Sequence, residues 1–255
     1  MCGGAAVPTI IRMDKYNYSS FDFKRDDAEM AEWLRLGPPA GGIAPDFELD
    51  ALDGGTVRLS ALRGLPVVVE FGSYTCPIFA SRVEAMEQLA RDFPEARFLV
   101  VYTREAHPGE LCPAHRSIAD KRRAAARSRD EQAIRRRVLV DGLDGAVHRA
   151  YGSAPDCAYV IDATGRIVTR LGWNDVDVVR NTLLALRSGA TPEVVETLGT
   201  IASAYPPGHL LLRRGGRRAL LDFYETGPEP VKTMFRTSAD PEVRATVPVA
   251  TGAGA

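Results

Sequence analysis

Between positions 76 and 115 stand Cys76, Glu105, His107, Cys112 and His115: two thiols, a carboxylate and two imidazoles. Cys76 lies in Phe71-Gly-Ser-Tyr-Thr-Cys-Pro-Ile-Phe79, where the apolar run Leu65 to Phe71 gives way to a helical pattern. A thiol at a helix N-terminus meets unpaired backbone N–H groups and the positive end of the helix dipole, which favour the thiolate and make the sulfur nucleophilic. Position 73 is Ser and position 79 is Phe, so the C-x-x-C spacing of dithiol exchange is absent. The chemistry then requires one thiol and a distant or external reductant. Ser73 and Thr75 supply hydroxyls near the sulfur, and Tyr74 an aromatic wall.

A second cluster, Tyr102-Thr-Arg-Glu-Ala-His-Pro108, leaves the end of another predicted strand. In open α/β sheets the crevice outside the strand carboxyl ends binds ligands, and Cys76 emerges at the same end. Glu105 and His107 could both face it, the carboxylate raising the imidazole pKa toward neutrality to give a proton donor. A third cluster, Cys112-Pro-Ala-His-Arg116, has the form of a zinc half-site. Neither Cys76 nor His107 has a partner at ligand-pair spacing, so no metal is expected. His115 is read as preceding a helix and facing the crevice, and Cys112 as either a spare thiol or a resolving cysteine for Cys76.

These groups need a scaffold, and the hydrophobic pattern supplies one. Residues 65 to 71 form a nearly continuous apolar run suited to a strand covered on both faces. From about Ala80, Val83, Met86, Leu89 and Ala90 recur at helical spacing, with Pro77 just upstream. There follow a strand at 97–102, a basic helical region at 116–137, a strand at 138–140 and a short helix at 146–151. Strands at 158–162 and 166–172, joined by Ala163-Thr-Gly165, form a hairpin. A helix capped by Asn174 or Asp175 and stopped by Gly189 ends the series. A hairpin around Asp53-Gly-Gly55 precedes it all. A parallel βαβ half, then a hairpin and a helix, is the element order of a thioredoxin-like α/β fold, with an extra N-terminal hairpin and an inserted strand-helix. The expected organisation is an N-terminal extension over 1–38, this domain over 39–190 and a C-terminal extension over 191–255. Within the last, Thr191-Pro-Glu reads as a helix start, 210–212 and 219–223 as a hairpin about Arg-Arg-Gly-Gly-Arg-Arg, and the final fifteen or so residues as mobile.

The 255-residue chain has a net charge of −1, which gives no reason to expect nucleic acid or an anionic membrane as partner. The segment 116–137 sets nine basic residues against three acidic ones, but without interleaved aromatics it reads as a solvated helix face. No stretch has the length of a bilayer span, and Met1 to Ile11 lacks the basic region and apolar run of a secretion signal. Cytoplasmic residence is expected. Four cysteines, Cys2, Cys76, Cys112 and Cys157, suit reduced thiols rather than a disulfide scaffold.

Together, Phe-Gly-Ser-x-Thr-Cys-Pro-x-Phe at 71–79, Tyr-x-x-Glu-Ala-His-Pro at 102–108 and His-Arg-Ser at 115–117 resemble the iodothyronine deiodinase family. The resemblance spans about 43–187, through Ala150-Tyr-Gly152 and Tyr159-Val-Ile161, and Cys76 falls where the family has selenocysteine. It implies a thioredoxin-like domain in which a thiolate or selenolate attacks an aryl iodine, leaving a sulfenyl or selenenyl iodide that external thiols reduce. It also implies proton delivery and substrate binding by Glu105, His107 and His115. Thr75, Tyr74, Tyr102 and Arg116 complete the candidate substrate-binding set. No cofactor is expected beyond a thiol reductant, thioredoxin or a low-molecular-weight thiol; the other partner is a small-molecule substrate, and a homodimer is compatible. Two positions depart from the family: Tyr74 replaces a frequent second cysteine, and Cys157 stands where the family has an Arg. Cys157 reads either as a resolving thiol or as an apolar filler. Two other functions fit the thiol: a peroxiredoxin-like peroxidase with Cys76 as peroxidatic cysteine, resolved by Cys112, Cys157 or an external thiol, and a non-enzymatic redox-sensitive binding protein.

Overall fold

The computed structural model describes residues 16–198 and 208–248. Its centre is β3 (Val67–Gly72), buried along its whole length, as the nearly continuous apolar run predicts, with Glu70 buried in an ion pair to Arg136. This strand pairs in parallel with β4 (Arg97–Tyr102) and antiparallel with β6 (Ala158–Ile161). β5 (Arg137–Val140) runs parallel to β4, and β7 (Ile167–Leu171) antiparallel to β6. The predicted N-terminal hairpin is present as β1 (Glu48–Ala51) and β2 (Thr56–Arg58), with β1 antiparallel to β5. A short strand, β8 (Val195–Thr197), adds in parallel to β7, giving the order β2-β1-β5-β4-β3-β6-β7-β8. The fold is thioredoxin-like, with the predicted hairpin and inserted strand-helix.

Strand alternation divides the core between two layers. Val67, Val69, Phe71, Leu99 and Val101 face one side, where Trp33 of α1 (Phe23–Leu36), Phe47 and Tyr151 cover them. Val68, Phe98 and Val160 face the other, against Met86 and Leu89 of α2 (Pro77–Asp92) and Val179 and Leu183 of α5 (Val176–Arg187). α3 (Ile118–Glu131) joins that layer through Ala125, packed with Val100 and Val138. The basic segment is not wholly a solvated face. Lys121 is buried, its Nζ donating to the Gly142 carbonyl at 3.0 Å, and Arg136 is buried between Glu70 and Glu87. α4 (Ala146–Ala150) completes the core series.

Gly72 ends β3 where Phe79, in the first turn of α2, folds back over it. A Cβ at Gly72 would lie 2.2 Å from the Phe79 ring. Gly72→Ala is expected to cost about 1–3 kcal/mol by overpacking, read as a lower urea midpoint at unchanged denaturant slope.

The C-terminal reading needs correction. Residues 210–223 form no hairpin but two helices, α6 (Gly208–Arg214) and α7 (Arg217–Thr226), broken by Gly215 and by Gly216 at φ 95°. Residues 191–194 are irregular and lead into β8, not a helix. α8 (Glu229–Arg236) and α9 (Pro241–Thr246) follow, so 241–246, expected to be mobile, are helical with Val243 fully buried. Residues 249–255 lie outside the described residues. The four helices share a core of Leu211, Leu220, Phe223, Phe235 and Val243, to which Phe21 from before α1 is added. Among the described residues, no helix is long and apolar enough to cross a membrane.

Candidate functional site

Cys76 is the N-cap residue of α2, with extended backbone (φ −77°, ψ 112°) and Pro77 opening the helix. Its N–H donates to the Ser73 carbonyl at 3.1 Å, closing a tight turn between β3 and α2. The thiol does not cap the helix N–H groups and is 1% exposed.

The loop after β4 wraps this turn around one carboxylate. Glu105 Oε2 accepts from the Thr75 N–H at 2.9 Å and the Thr75 hydroxyl at 2.7 Å. Oε1 accepts from the Tyr102 hydroxyl and lies 3.1 Å from His115 Nε2. The Tyr102 oxygen in turn accepts from the Tyr74 N–H at 3.1 Å. Ser73 Oγ and Thr75 Oγ1 accept from the N–H groups of Ala106 and His107, both at 3.1 Å. Burial pushes the Glu105 carboxyl up, but His115, Thr75 and Tyr102 together outweigh it and hold the group below its ordinary value. Glu105 is therefore a carboxylate near neutrality. Burial and the adjacent charge of Glu105 push the Tyr102 phenol well up, so it remains a donor.

The structure separates the two histidines. His115, not His107, meets the carboxylate, and the expected elevation of the His107 pKa is wrong. The His107 ring packs against both Phe21, at 4.3 Å between centroids, and Phe223, at 5.1 Å, which stack on each other at 5.0 Å. Desolvation lowers it to about 3, the attraction of Glu105 offsetting only part. His107 is neutral in the folded state. The unfolded chain binds a proton there below pH 6.5 while the folded protein does not, so stability falls as pH drops from 6.5 toward 3. Between pH 7 and pH 5 this loss is on the order of 1–2 kcal/mol. His107→Phe is expected to remove it, narrowing the difference between urea midpoints measured at the two pH values.

The remaining candidates fall into two groups. Tyr74 is buried; its hydroxyl donates to Glu131 at 2.5 Å, and burial, then this bond, push its pKa up to about 12. Arg116 is exposed, its N–H bound to Asp120, and with His115 it lines a surface groove of about 470 Å³ alongside Cys112, Arg123 and Arg127. Cys112 shares a packed cluster with Cys76. Cys157 lies in the opposite core layer with Trp33, Tyr151 and Tyr159, the geometry of a filler. Burial pushes both thiols up. Cys76, Cys112 and Cys157 form no disulfide.

Sequence reasoning missed the two flanking contributions. Phe21 and Phe223 enclose His107 from outside the predicted domain, and Tyr18 donates its hydroxyl to the Ala106 carbonyl at 2.9 Å. The aromatic-rich stretch before α1 was the available signal; for Phe223 there was none.

Comparison with known proteins matches the sequence to one family model. A sequence profile described as iodothyronine deiodinase matches residues 37–174. A thyroxine 5-deiodinase of Gallus gallus is 38% identical over 135 residues, covering 48% of this chain and 52% of that one. One of Aquarana catesbeiana is 35% identical over 149 residues, covering 52% and 53%. The chain spans about half the length of the curated relatives it matches. Among solved structures, a secreted Mycobacterium tuberculosis disulfide oxidoreductase homologous to E. coli DsbE aligns at a TM-score of 0.44 and 19% identity, over 55% of this chain and 95% of that one.

Proposed function

The chain belongs to the iodothyronine deiodinase family, and on that premise we propose that it is a thiol-dependent oxidoreductase whose Cys76 attacks the iodine of an aromatic substrate. One observation carries the reading: a cysteine at the N-cap of α2 whose turn is bound directly to a buried carboxylate network through Thr75.

The Cys76 thiolate forms an S–I bond as the C–I bond breaks, and the electron pair left on the ring carbon takes up a proton. The arene is reduced and the sulfur oxidised. An external thiol then attacks the sulfenyl iodide, giving a mixed disulfide, iodide and a proton; a second thiol releases Cys76 as the free thiol and leaves as the disulfide. His115 is the proton donor in this scheme. Its Nε2 is held by Glu105, and its Nδ1, buried with no hydrogen-bond partner, is the nitrogen left to exchange. Glu105, ionised, orients the ring through Nε2 and carries no proton itself. Neutral His107, walled by two phenyl rings, shapes the substrate side rather than delivering charge. Tyr102 and Thr75 hold the carboxylate in place. The reductant is a low-molecular-weight thiol or a thioredoxin, as a reducing cytoplasm supplies.

The test is purified protein with dithiothreitol, given an iodophenol in one arm and hydrogen peroxide in the other. Iodide release is expected in the first. Rapid peroxide consumption without iodide release would replace this reading with that of a thiol peroxidase.

A further inference from the structure

Arg214 lies beyond the residues matched to the family, at the end of α6, yet it reaches the Cys76 turn. Its Nη1 donates to the Tyr74 carbonyl at 3.1 Å, and its Cζ lies 5.1 Å from the Tyr74 ring centroid. Tyr74 is the second residue of the turn that the Cys76 N–H closes onto Ser73.

Several contacts fix α6 in that place. The Leu111 N–H donates to the Gly215 carbonyl at 3.1 Å. A Cβ at Gly109 would lie 2.2 Å from the Gly215 oxygen, and one at Gly215 2.8 Å from the His107 oxygen, so neither position admits a side chain. The Glu110 carboxylate accepts from the N–H groups of Arg217, at 2.5 Å, and Arg218, at 2.9 Å, at the start of α7.

The charges around the turn are unequal. Tyr102, from β4, and Glu105, His107, Cys112 and His115, from the loop, face it on one side; Tyr74 and Thr75 belong to the turn itself. From α3, Arg127 lies over the Tyr74 ring but is paired with Glu131 at 2.8 Å. Arg214 is half-buried and, among the described residues, has no carboxylate within ion-pair distance. Burial disfavours its charge; Tyr74, then Cys76, Glu131 and Tyr102, favour it. A desolvated guanidinium whose nearest carboxylate, Glu131, is already bound to Arg127 and the Tyr74 hydroxyl gains from further negative charge forming beside it.

We propose that Arg214 is a positioning residue that holds the Tyr74–Cys76 turn and serves as counter-ion to the Cys76 thiolate, making the C-terminal helices part of the reactive site. The proposal rests on Cys76 being the reactive thiol but not on the halogen chemistry. Its test therefore uses an alkylating agent, attacked at carbon, and no iodinated aromatic substrate. In the full chain, the rate of alkylation by iodoacetamide is followed from pH 5 to pH 10 on the peptide containing Cys76 by mass spectrometry. Arg214→Gln and Arg214→Leu are expected to move the midpoint up by about one pH unit or more, and Arg214→Lys to keep it within a few tenths. Whichever neutral variant retains the wild-type far-UV circular dichroism carries the result. An unmoved midpoint in that variant, or an equal shift in Arg214→Lys, would overturn the proposal. A shifted midpoint in a protein that releases no iodide from an iodophenol would sustain it and refute the dehalogenation reading alone.

Discussion

Cys76→Ser is expected to lower thiol-dependent iodide release from an iodophenol by roughly 10³-fold or more, to the rate without protein. The serine hydroxyl is not ionised near neutrality at a helix N-terminus, and oxygen is a poor nucleophile toward iodine. Among the described residues no other thiol is placed to substitute. Cys112 is the only other thiol in the same packed cluster among the described residues, and burial disfavours its ionised form. Cys157 is in the opposite core layer. The replacement is nearly isosteric, so circular dichroism and the urea midpoint separate lost chemistry from lost fold. Retention of a tenth of the activity or more would remove Cys76 from the reaction.

The second large effect belongs to Glu105. Its side chain, 2% exposed as a residue, accepts from four donors on Thr75, Tyr102 and His115. Glu105→Ala leaves those donors buried without an acceptor and is expected to cost about 3–5 kcal/mol of stability. Glu105→Gln is milder. With its amide nitrogen toward Tyr102 and His115, the tyrosine oxygen can accept, and His115 must present Nε2 as an acceptor and move its proton to Nδ1. Stability is then largely kept, but the ring loses the carboxylate that orients it for proton delivery. The expected loss is about 10²-fold in kcat/KM for iodide release. Equal rates in Glu105→Gln and the wild type would remove Glu105 and His115 from proton delivery. The pH dependence has a definite sign. Glu105 is held below its ordinary value of 4.5, so its contribution to stability is complete above that value and is lost as pH falls through the lower folded-state value.

How much of this was legible in the sequence depends on where each group's partners come from. Cys76 at the start of α2 was readable because strand, Cys-Pro and helix adjoin in sequence, and the β3 and α2 patterns are unambiguous over their lengths. The Glu105 network was only half readable. The motif placed Glu105 beside His107, two residues on, but the folded loop turns the carboxylate to Thr75, Tyr102 and His115. Side chains two apart in a loop share no fixed face, so spacing could not choose between the histidines. The helices α6 and α7 were read as strands because two short apolar runs about Gly215-Gly216 satisfy a hairpin as well as a helical corner. What decides between them is long-range: Glu110 receiving the first N–H groups of α7, and Phe21 and His107 packing on Phe223. The strand β8 was likewise hidden, since only its pairing with β7 makes three residues a strand.

A single turnover without added thiol isolates the step at Cys76. Protein in excess over an iodophenol, freed of reductant, is quenched and analysed for the deiodinated phenol and for Cys76 still open to alkylation. One deiodinated product is expected for each Cys76 lost, and none with Cys76→Ser. Product formed without loss of Cys76, or formed equally by Cys76→Ser, would contradict attack by Cys76.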